Sequence, residues 1–573
     1  MSGPTSWRPN IIGTRHMISA GHYAATHAGF AVLEAGGNAI DAGVAAGIAL
    51  GVLQTDRVNF AGVAPIMIYL AKERRVVNIA GLGHWPAAAD INVFIERYGG
   101  KMPGGILRTI VPAAPAAWIA ALTRYGTMSF REVAQAAIRL ARDGFAMHWL
   151  MADWIAANEV LYRRWPSNVE VFLPQGRPPR VGELFVQADL ARTIQYMADE
   201  EAAHAKGGRE AGLRAADDAF YKGDIARSIA RYHRDNGGWL TERDLSDYEV
   251  RFEPPVMTRF KDIELYACGP WCQGPLLVQA LNILAGIDLP ALGHNSPAYI
   301  HTLTEALKLA YADRHAYYGD PRFVDVPLER LLSSDYAAER RRAIDAQRAA
   351  PGMPAPGLGP RPHRAPQPAQ GASASAPMPV DTSYVSVIDR HGNAFSATPS
   401  DASQETPVIP GTGLCPSSRG SQSWCDPDHP ASVAPGKRPR LTPSPALALR
   451  DGKAYMPFGS PGNDVQPQAM LQTFLNVHAF GMDVQAAVEA PRFATFSYPQ
   501  SSEPHTYQPG RLMIESRIDA GTRDALARLG HDVKAWPEHD WHAGAVCMVR
   551  VNLETGMLEG AADPRTPSYA LGC

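Results

Sequence analysis

The chain has 573 residues, of which 46% are hydrophobic and 19% are charged, a composition typical of folded globular proteins and not of disordered ones. Lys and Arg total 54 against 57 Asp and Glu, so the net charge of −3 gives no general electrostatic case for binding nucleic acid or an anionic membrane. Small molecules are therefore the expected partners.

The start of the chain and its cysteines bear on the compartment. The first 19 residues, MSGPTSWRPNIIGTRHMIS, contain no apolar core before a small-residue cleavage site, so no secretory signal is expected. The longest apolar run, from Ala42 to Leu53, is shorter than the roughly 20 residues that cross a bilayer. The six cysteines are scattered and not dense as in small secreted domains. These features predict a cytoplasmic protein without a membrane partner.

In chain order, the pattern from Ile18 to Val63 predicts a short strand and two helices, joined by a Gly-containing turn at 34–38. Asp41 falls in the first turn of the second, Ala-rich helix. Apolar spacing predicts five later helices, at Phe130 to Asp143, Leu190 to Glu201, Asp224 to Asn236, Gly274 to Leu284 and Pro297 to Tyr318. The first 345 residues are thus expected to be rich in helix, with intervening strands.

Cys268 and Cys272 have a spacing close to that of metal ligands. Their segment, Cys-Gly-Pro-Trp-Cys, is one residue longer than a Cys-x-x-Cys motif, and no second pair follows it. Buried, inert thiols are the favoured interpretation, and no metal site is predicted.

A break in composition follows. Residues 350–380 contain nine prolines among Ala, Gly and Ser, with little aliphatic periodicity, which predicts an exposed, mobile tail. Directly behind it, residues 382–389 form a pattern rich in β-branched residues, followed by a turn at 390–393 and a second strand at 394–398. A buried hairpin is therefore expected to begin immediately after the tail.

A hydroxyl residue at the first position of a core strand, behind a flexible tail, suits self-cleavage. The Thr382 hydroxyl could attack the Asp381 carbonyl, and hydrolysis of the resulting ester would free the α-amine of Thr382. An α-amine has a reference pKa of about 7.7–8.0, so it can accept the hydroxyl proton near neutral pH. The local pattern alone also fits a Thr382 that only begins a β-hairpin, as β-branched residues often do.

Seven segments in order make the chain resemble the γ-glutamyltransferase family over nearly its whole length, apart from the proline-rich tail. They are 36–41 (GGNAID), 124–127 with 141–145 (RYGT, ARDGF), 236–245 (NGGWLTERDL), 311–314 with 319–324 (YADR, GDPRFV), 381–389 (DTSYVSVID), 435–439 (PGKRP) and 459–463 (GSPGN). Each segment is weak alone, but their shared order is specific to this family.

The resemblance implies a fold and a site. The expected fold is the four-layer αββα sandwich of N-terminal-nucleophile hydrolases, an α/β (α+β) class, made as one precursor. Cleavage between Asp381 and Thr382 would give a large subunit, 1–381, and a small subunit, 382–573, that remain one folded unit. Thr382 matches the family's nucleophile, and Ser400 matches a hydroxyl residue bonded to it, although a plain turn serine after Pro399 is the alternative.

The turn at 459–463 matches the family's paired-amide loop. Consecutive N–H groups in a Gly-containing turn can hold an anion, so Gly462 and Asn463 are the predicted oxyanion donors. No cofactor is implied, because the nucleophile, the base and the oxyanion donors are all protein groups.

The predicted substrate site departs from the glutathione-processing members of the family. Leu82 stands where those enzymes carry an arginine for the α-carboxylate of the γ-glutamyl group, and 416–420 (PSSRG) replaces their Asn-Asn-x-x-Asp segment. Thr442, preceded by Leu441, stands in place of a Ser-Ser pair and is a predicted substrate contact. Arg419 and, less directly, Arg57 are the predicted contacts for a substrate carboxylate, with a surface ion pair as the alternative for Arg419.

The pattern from Gly411 through Arg419 and His429 to 435–438 resembles instead the branch that contains oxamate amidohydrolase and cephalosporin acylases. The predicted function is therefore an autoprocessed amide hydrolase or acyltransferase with a Thr acyl-enzyme and a small amide substrate. True γ-glutamyl transfer from glutathione is the alternative within the same chemistry, and an unprocessed binding protein is the alternative of another class. Association into a homo-oligomer is left open.

Overall fold

The computed structural model describes residues 6–364 and 381–573. Two antiparallel seven-stranded sheets, sheet I and sheet II, form the centre of the molecule. Sheet I has the strand order Tyr569–Gly572, Met17–Ala20, Val385–Ile388, Ala394–Ala397, Ile66–Leu70, Arg75–Ala80 and Arg251–Glu253. Sheet II has the order Ile11–Gly13, Leu558–Ala562, Cys547–Val551, Lys453–Gly459, Ala446–Arg450, Ile263–Ala267 and Val256–Phe260.

The two sheets pack face to face, and helices cover both outer faces. The layer outside sheet I consists of Tyr23–Glu34, Ala39–Leu53, Ala114–Tyr125, Phe130–Asp143, Ala188–His204, Arg209–Tyr221 and Asp224–Asp235. The layer outside sheet II consists of Gly274–Leu284, Pro297–Tyr317, Ser334–Arg341, Gln466–His478, Val484–Glu489 and Ala520–Arg528. This arrangement is the predicted four-layer αββα sandwich.

Shorter elements connect the layers. The remaining helices are Ile91–Tyr98, Trp149–Ala157, Glu159–Tyr162, Pro166–Phe172, Glu242–Ser246, Leu289–Leu292 and Leu328–Leu331, with 3₁₀ turns at Ile106–Arg108, Ala205–Gly207, Arg419–Gln422, Asn463–Val465 and Trp541–Ala543. A three-stranded sheet joins Phe493–Thr495, Arg511–Glu515 and Asp532–Trp536, and Phe145–Ala146 pairs with Leu184–Phe185. In the described ranges, no helix is both long and apolar enough to cross a membrane.

The strand that follows the predicted cleavage point lies in the middle of sheet I. Val385–Ile388 pairs with Met17–Ala20 on one side and with Ala394–Ala397 on the other. All four of its residues are buried, because sheet II covers one face and Ala39–Leu53 covers the other. Burial on both faces explains its composition of Val, Ser, Val and Ile. The end of this strand is consequently held more rigidly than a surface loop would be.

The Ala-rich helix Ala39–Leu53 fits against sheet I because its residues are small. All 15 are buried, and a Cβ added at Gly43 would come within 2.1 Å of the Phe395 ring. Asn38 and Asp41 form a capping box at its start. The same Asp41 carboxylate accepts hydrogen bonds from Thr127, so two of the resembling segments meet in space.

Each of the two sheets contains strands from both sides of the predicted cleavage point. Val385–Ile388 pairs with Met17–Ala20 in sheet I, and Ala446–Arg450 pairs with Ile263–Ala267 in sheet II. Separating 381 and earlier residues from 382 and later ones would break ladders in both sheets at once. Two pieces divided at this point would therefore share both sheets, which would oppose their separation.

The described part of the proline-rich segment corrects one expectation. Residues 350–364 do not extend freely from the protein: although about half of them are exposed, several are hydrogen-bonded to its body. Lys308 Nζ donates to the Ala350 carbonyl at 2.9 Å, Gly357 N donates to Asp313 Oδ1 at 2.8 Å, and Met353 N donates to Tyr507 OH at 2.8 Å. The segment is thus held by polar side chains of other elements. A search for apolar periodicity does not detect such contacts. The rest of the predicted tail, 365–380, lies outside the described residues.

A half-buried carboxyl group predicts a pH dependence of stability. Burial, with a smaller effect of Asp218, raises the pKa of Asp217 from 3.8 to about 6. Because the pKa of Asp217 is higher in the folded state than in the unfolded one, the folded state is favoured most below about pH 4, where Asp217 is neutral in both states. This contribution to the free energy of unfolding is lost as the pH rises through about 6. Asp217→Asn is expected to raise the free energy of unfolding by about 1–2 kcal/mol at about pH 7.5 and to change little at about pH 4.

Denaturant unfolding of both proteins at the two pH values measures this effect. Asp218→Asn on the same helix is the matched control, because the Asp218 side chain is more exposed and pairs with Lys222 Nζ at 2.7 Å, so its neutralisation should not stabilise the protein at about pH 7.5. Equal stabilisation of Asp217→Asn at both pH values would show that the carboxyl charge is not the cause.

Candidate active site

Asp381 and Thr382 lie at the entrance to the strand Val385–Ile388, and the main chain around them is fixed. Thr382 N donates to the Arg57 carbonyl at 2.9 Å, and Ser383 N donates to the Pro399 carbonyl at 2.9 Å. Thr382 has a φ of 89°, in a region that β-branched residues rarely occupy. One of the two residues of the peptide bond predicted to be cut is therefore strained. Backbone strain of this kind is concentrated at functional sites.

The Thr382 hydroxyl is completely buried and meets three polar side chains. Its Oγ1 donates to Asp381 Oδ1 at 2.7 Å and lies 2.6 Å from Ser400 Oγ. The amide of Gln466, at the start of helix Gln466–His478, is 3.3 Å away. Turned so that its nitrogen donates to the Thr442 and Ser460 carbonyls, each at 3.3 Å, this amide places its oxygen 3.3 Å from Thr382 Oγ1.

Ser400 is held in place by main-chain bonds just after strand Ala394–Ala397. Its N–H donates to the Val63 carbonyl at 2.9 Å, and its carbonyl accepts from Val63 N at 3.1 Å. Its hydroxyl accepts a hydrogen bond from Arg419 Nη2 at 2.5 Å. With the Arg419 proton on its oxygen, Ser400 is left to donate its own hydroxyl proton to Thr382. The structure thus places Ser400 in contact with Thr382, unlike a plain turn serine.

The turn at 459–463 brings a backbone amide to the carbonyl of the predicted scissile bond. Gly462 N lies 3.4 Å from the Asp381 carbonyl oxygen. Gly462 and Asn463 have positive φ values of 121° and 51°. Their N–H groups therefore do not point in alternating directions as they would in an extended strand. Negative charge that develops on the Asp381 oxygen would meet the Gly462 donor.

Arg419 is buried beside the same bond and does not form the surface ion pair that was the alternative. Its Nη1 forms an ion pair with Asp381 Oδ2, and its Nε lies 3.9 Å from Asp401 Oδ2. Burial opposes the charge of Arg419, but the Asp381 and Asp401 carboxylates hold its pKa above the usual value. The contacts therefore form a closed ring through Arg419, Ser400, Thr382 and Asp381.

Asp401 anchors the segment that carries Arg419. Its carboxylate accepts hydrogen bonds from the hydroxyls of Ser417 and Ser418, each at 2.5 Å, and from Ser418 N at 2.9 Å. Burial raises the pKa of Asp401, although Arg419 and the two serines act in the opposite direction. The Pro-Ser-Ser-Arg-Gly segment thus folds onto Asp401 and turns Arg419 inward.

The other predicted substrate contacts lie near this centre but have partners of their own. The Arg57 guanidinium donates to Asp56 at 2.9 and 2.7 Å and lies over the Trp541 ring. Arg57 contacts Thr382 through its main chain, where its carbonyl accepts from Thr382 N. Thr442 exchanges two hydrogen bonds with the Gln422 amide, and Leu82 is buried in an apolar cluster with Trp85.

Sequence reasoning missed two residues of this centre, Asp401 and Gln466. Asp401 directly follows Ser400, and a charged residue beside a predicted catalytic hydroxyl was a usable signal. Gln466 lies three residues after Asn463, at the start of a helix. Nothing in the sequence there indicates that its side chain contacts Thr382.

Cys268 and Cys272 are buried and unbridged. Cys268 Sγ donates to the Asn78 side chain, and Cys272 Sγ donates to the Gly269 carbonyl, each at 3.4 Å. Burial raises the pKa of the Cys268 thiol well above its usual value. A thiol that is buried and hard to ionise is poorly suited to nucleophilic chemistry.

The αββα sandwich together with a hydroxyl residue at the head of a central strand defines the class of N-terminal-nucleophile amidohydrolases. Comparison with known proteins then identifies the family. Residues 25–573 match the family model for gamma-glutamyltranspeptidase. The chain belongs to this family.

Relatives and solved structures place acylases close to it. The Acylase ACY 1 proenzyme of Pseudomonas sp. (strain SE83) is 32% identical over 564 residues, which cover 96% of this chain and 92% of that protein. The glutathione hydrolase-like YwrD proenzyme of Bacillus subtilis is 30% identical over 98% of this chain and 99% of its own length. The crystal structure of cephalosporin acylase from Bacillus halodurans has a TM-score of 0.85 at 26% identity, covering 100% of this chain and 98% of that one.

These names include acylases and a hydrolase, and both curated relatives are proenzymes. The chain is accordingly an autoprocessed amide hydrolase of the gamma-glutamyltranspeptidase family, with acylase-like relatives as predicted.

Proposed function

We propose that the precursor cuts itself between Asp381 and Thr382, and that Thr382 then serves as the nucleophile of an amide hydrolase. The observation that carries the proposal is the set of contacts at this one bond. The Thr382 hydroxyl is in a hydrogen-bonded ring, and Gly462 N lies beside the carbonyl oxygen of the same bond. Nucleophile and oxyanion donor are therefore adjacent before any substrate arrives.

In the matured site, the α-amine of Thr382 takes the place of its amide nitrogen. The amine accepts the Oγ1 proton while Oγ1 attacks the substrate carbonyl, and the Gly462 amide stabilises the oxyanion. The amine then protonates the leaving nitrogen, and water releases the acyl group from Thr382. Ser400, which donates to Oγ1 in the described ring, keeps the hydroxyl oriented.

The acyl group of the substrate is proposed to carry a carboxylate. In the uncut chain, Asp381 is the acyl group of the bond to be cut, and its side-chain carboxylate lies on Arg419. Removing one partner of a buried ion pair costs several kcal/mol, about 3–5 in measured cases. When Asp381 leaves, a substrate carboxylate two carbons from the scissile carbonyl can take its place on Arg419.

This assignment favours amides of short dicarboxylic acids over γ-glutamyl compounds. The arginine expected of a glutathione-processing enzyme is Leu82, which is buried among apolar side chains. The acylases among the relatives support hydrolysis of an acyl group as the reaction. In this proposal, water is the acceptor of that group.

Mass spectrometry of the purified protein tests the proposal. Two fragments are expected, one ending at Asp381 and one beginning at Thr382, and brief incubation with a succinyl anilide should add the acyl mass to the Thr382 fragment alone. Faster release of the amine from a γ-glutamyl anilide than from the succinyl anilide would instead support γ-glutamyl transfer. One uncut chain without turnover would support the binding-protein alternative.

A further inference from the structure

The first self-cleavage needs a base that the matured enzyme does not use. Before the cut, Thr382 N is an amide nitrogen, and it donates its proton to the Arg57 carbonyl. It has no basic lone pair, so the amine that serves in turnover does not yet exist. The Oγ1 proton must go elsewhere for Thr382 to attack.

The groups around Thr382 Oγ1 differ in their ability to take that proton. Ser400 is a hydroxyl that already accepts from Arg419, and Gln466 is a neutral amide. In the described part of the chain, the carboxylate that accepts a hydrogen bond from Thr382 Oγ1 is that of Asp381, at 2.7 Å. A positioned carboxylate at hydrogen-bond distance meets the geometric requirement for a general base.

We propose that the Asp381 side chain is the general base of self-cleavage, acting on the residue that follows it. The inference rests on the proposed cut at Thr382 and adds the source of its base. Arg419 holds Oδ2 of this carboxylate, which leaves Oδ1 directed at Thr382. Gly462 N lies at the carbonyl oxygen of the same residue.

The step balances without a further reactant except water. Asp381 Oδ1 takes the proton as Thr382 Oγ1 bonds to the Asp381 carbonyl carbon, and the Gly462 amide stabilises the resulting oxyanion. The bond from that carbon to Thr382 N then breaks, and the carboxylic acid returns the proton to the nitrogen as it leaves. Water hydrolyses the ester, which gives the α-carboxylate of Asp381 and the free hydroxyl of Thr382.

Asp381 is thereby a base that is used once. After the cut it is a chain end, no longer joined to Thr382, and the new α-amine is beside the hydroxyl in its place. The exchange of one base for another also frees Arg419 for a substrate carboxylate. A single bond cleavage thus completes both the nucleophile and its anion site.

Rescue by an added carboxylate distinguishes a base from a merely structural side chain. Asp381→Ala should cut itself about 10²–10⁴-fold more slowly than the native chain, the usual contribution of a general base. Formate should restore cleavage in proportion to its concentration, because it can enter the space left by the missing carboxylate. Formamide, of similar size but not basic, should not.

Asp381→Asn is the matched variant, since it fills the same space and should remain slow with or without formate. Native-like thermal unfolding of both variants would exclude misfolding as the cause. Cleavage of Asp381→Ala at the native rate, or no acceleration by formate, would overturn the inference. Cleavage of Thr382→Ala would instead contradict the proposed function itself, so the two failures are distinguishable.

Discussion

Thr382→Ala is expected to leave the precursor uncut and without measurable amide hydrolysis. The substitution removes the hydroxyl that would form both the ester of self-cleavage and the acyl-enzyme of turnover. Catalytic loss at such a nucleophile is about 10⁴–10⁶-fold, because the remaining groups act through it. Gel electrophoresis and mass spectrometry report the cut, and release of an anilide reports the turnover.

Two further variants make this result specific. Thr382→Ser keeps a hydroxyl and, once cut, an α-amine, so it should retain part of both activities. Ser383→Ala is the matched control, since Ser383 is the next residue, and its fixed contact is a main-chain bond to Pro399. A cut in Thr382→Ala at 381–382, or loss of the cut in Ser383→Ala, would move the nucleophile away from Thr382.

Several helices were predicted well from the sequence because their signals are local. Helices Phe130–Asp143 and Gly274–Leu284 have the predicted bounds, and Pro297–Tyr317 differs by one residue. Each has apolar residues at helical spacing together with clear end signals. The order of strands in the two sheets has no such local signal and was not predicted. Only the four-layer arrangement was expected, and it came from the resemblance to a family.

Several resembling segments turn out to be partners of one another. Arg438 of the Pro-Gly-Lys-Arg segment donates to Asp320 of the Gly-Asp-Pro-Arg segment at 2.9 Å. Arg314 of Tyr-Ala-Asp-Arg forms a buried ion pair with Asp464, next to Asn463. These charged pairs are buried, so removing one member would leave the other unpaired. Motifs that look like separate functional signals thus partly serve to position the loop that carries Gly462.

The hydrogen bonds that residues 350–364 form with the body of the protein were not expected, for a related physical reason. Composition indicated that this segment has little apolar surface to bury, which is correct, but its order comes from polar partners on distant elements. Asp313, Tyr507 and Lys308 receive or supply its hydrogen bonds, and none is close to it in sequence. Loss of this part is therefore expected to cost stability.

The inward direction of Arg419 also depends on tertiary contacts. The sequence suggested Arg419 as an anion contact only through its place in a replaced segment. Its burial follows from Asp401, whose carboxylate binds the hydroxyls of Ser417 and Ser418, the two residues directly before Arg419. Asp401 and Ser417 are 16 positions apart, and a contact over that separation leaves no periodic pattern in the sequence. The geometry around Arg419 could therefore not be predicted.

Arg419→Ala is expected to change substrate preference, which is the second large effect. For a succinyl anilide, kcat/KM should fall about 10- to 150-fold, the value of a charge-assisted contact of about 1.5–3 kcal/mol. For a neutral acetyl anilide, the same constant should change far less, because no carboxylate is present to lose its partner. The measured quantity is the ratio of the two constants in each protein.

Self-cleavage complicates this experiment, because Arg419 also holds the Asp381 carboxylate in the precursor. Rates are therefore divided by the amount of the fragment beginning at Thr382, which removes any difference in maturation. Arg419→Lys is the matched variant, since it keeps a charge but lacks the planar fork of donors, and it should lie between the native protein and Arg419→Ala. If both anilides lost activity equally, Arg419 would act through Ser400 and the orientation of Thr382. In that case the substrate carboxylate would have to be held by a group other than Arg419.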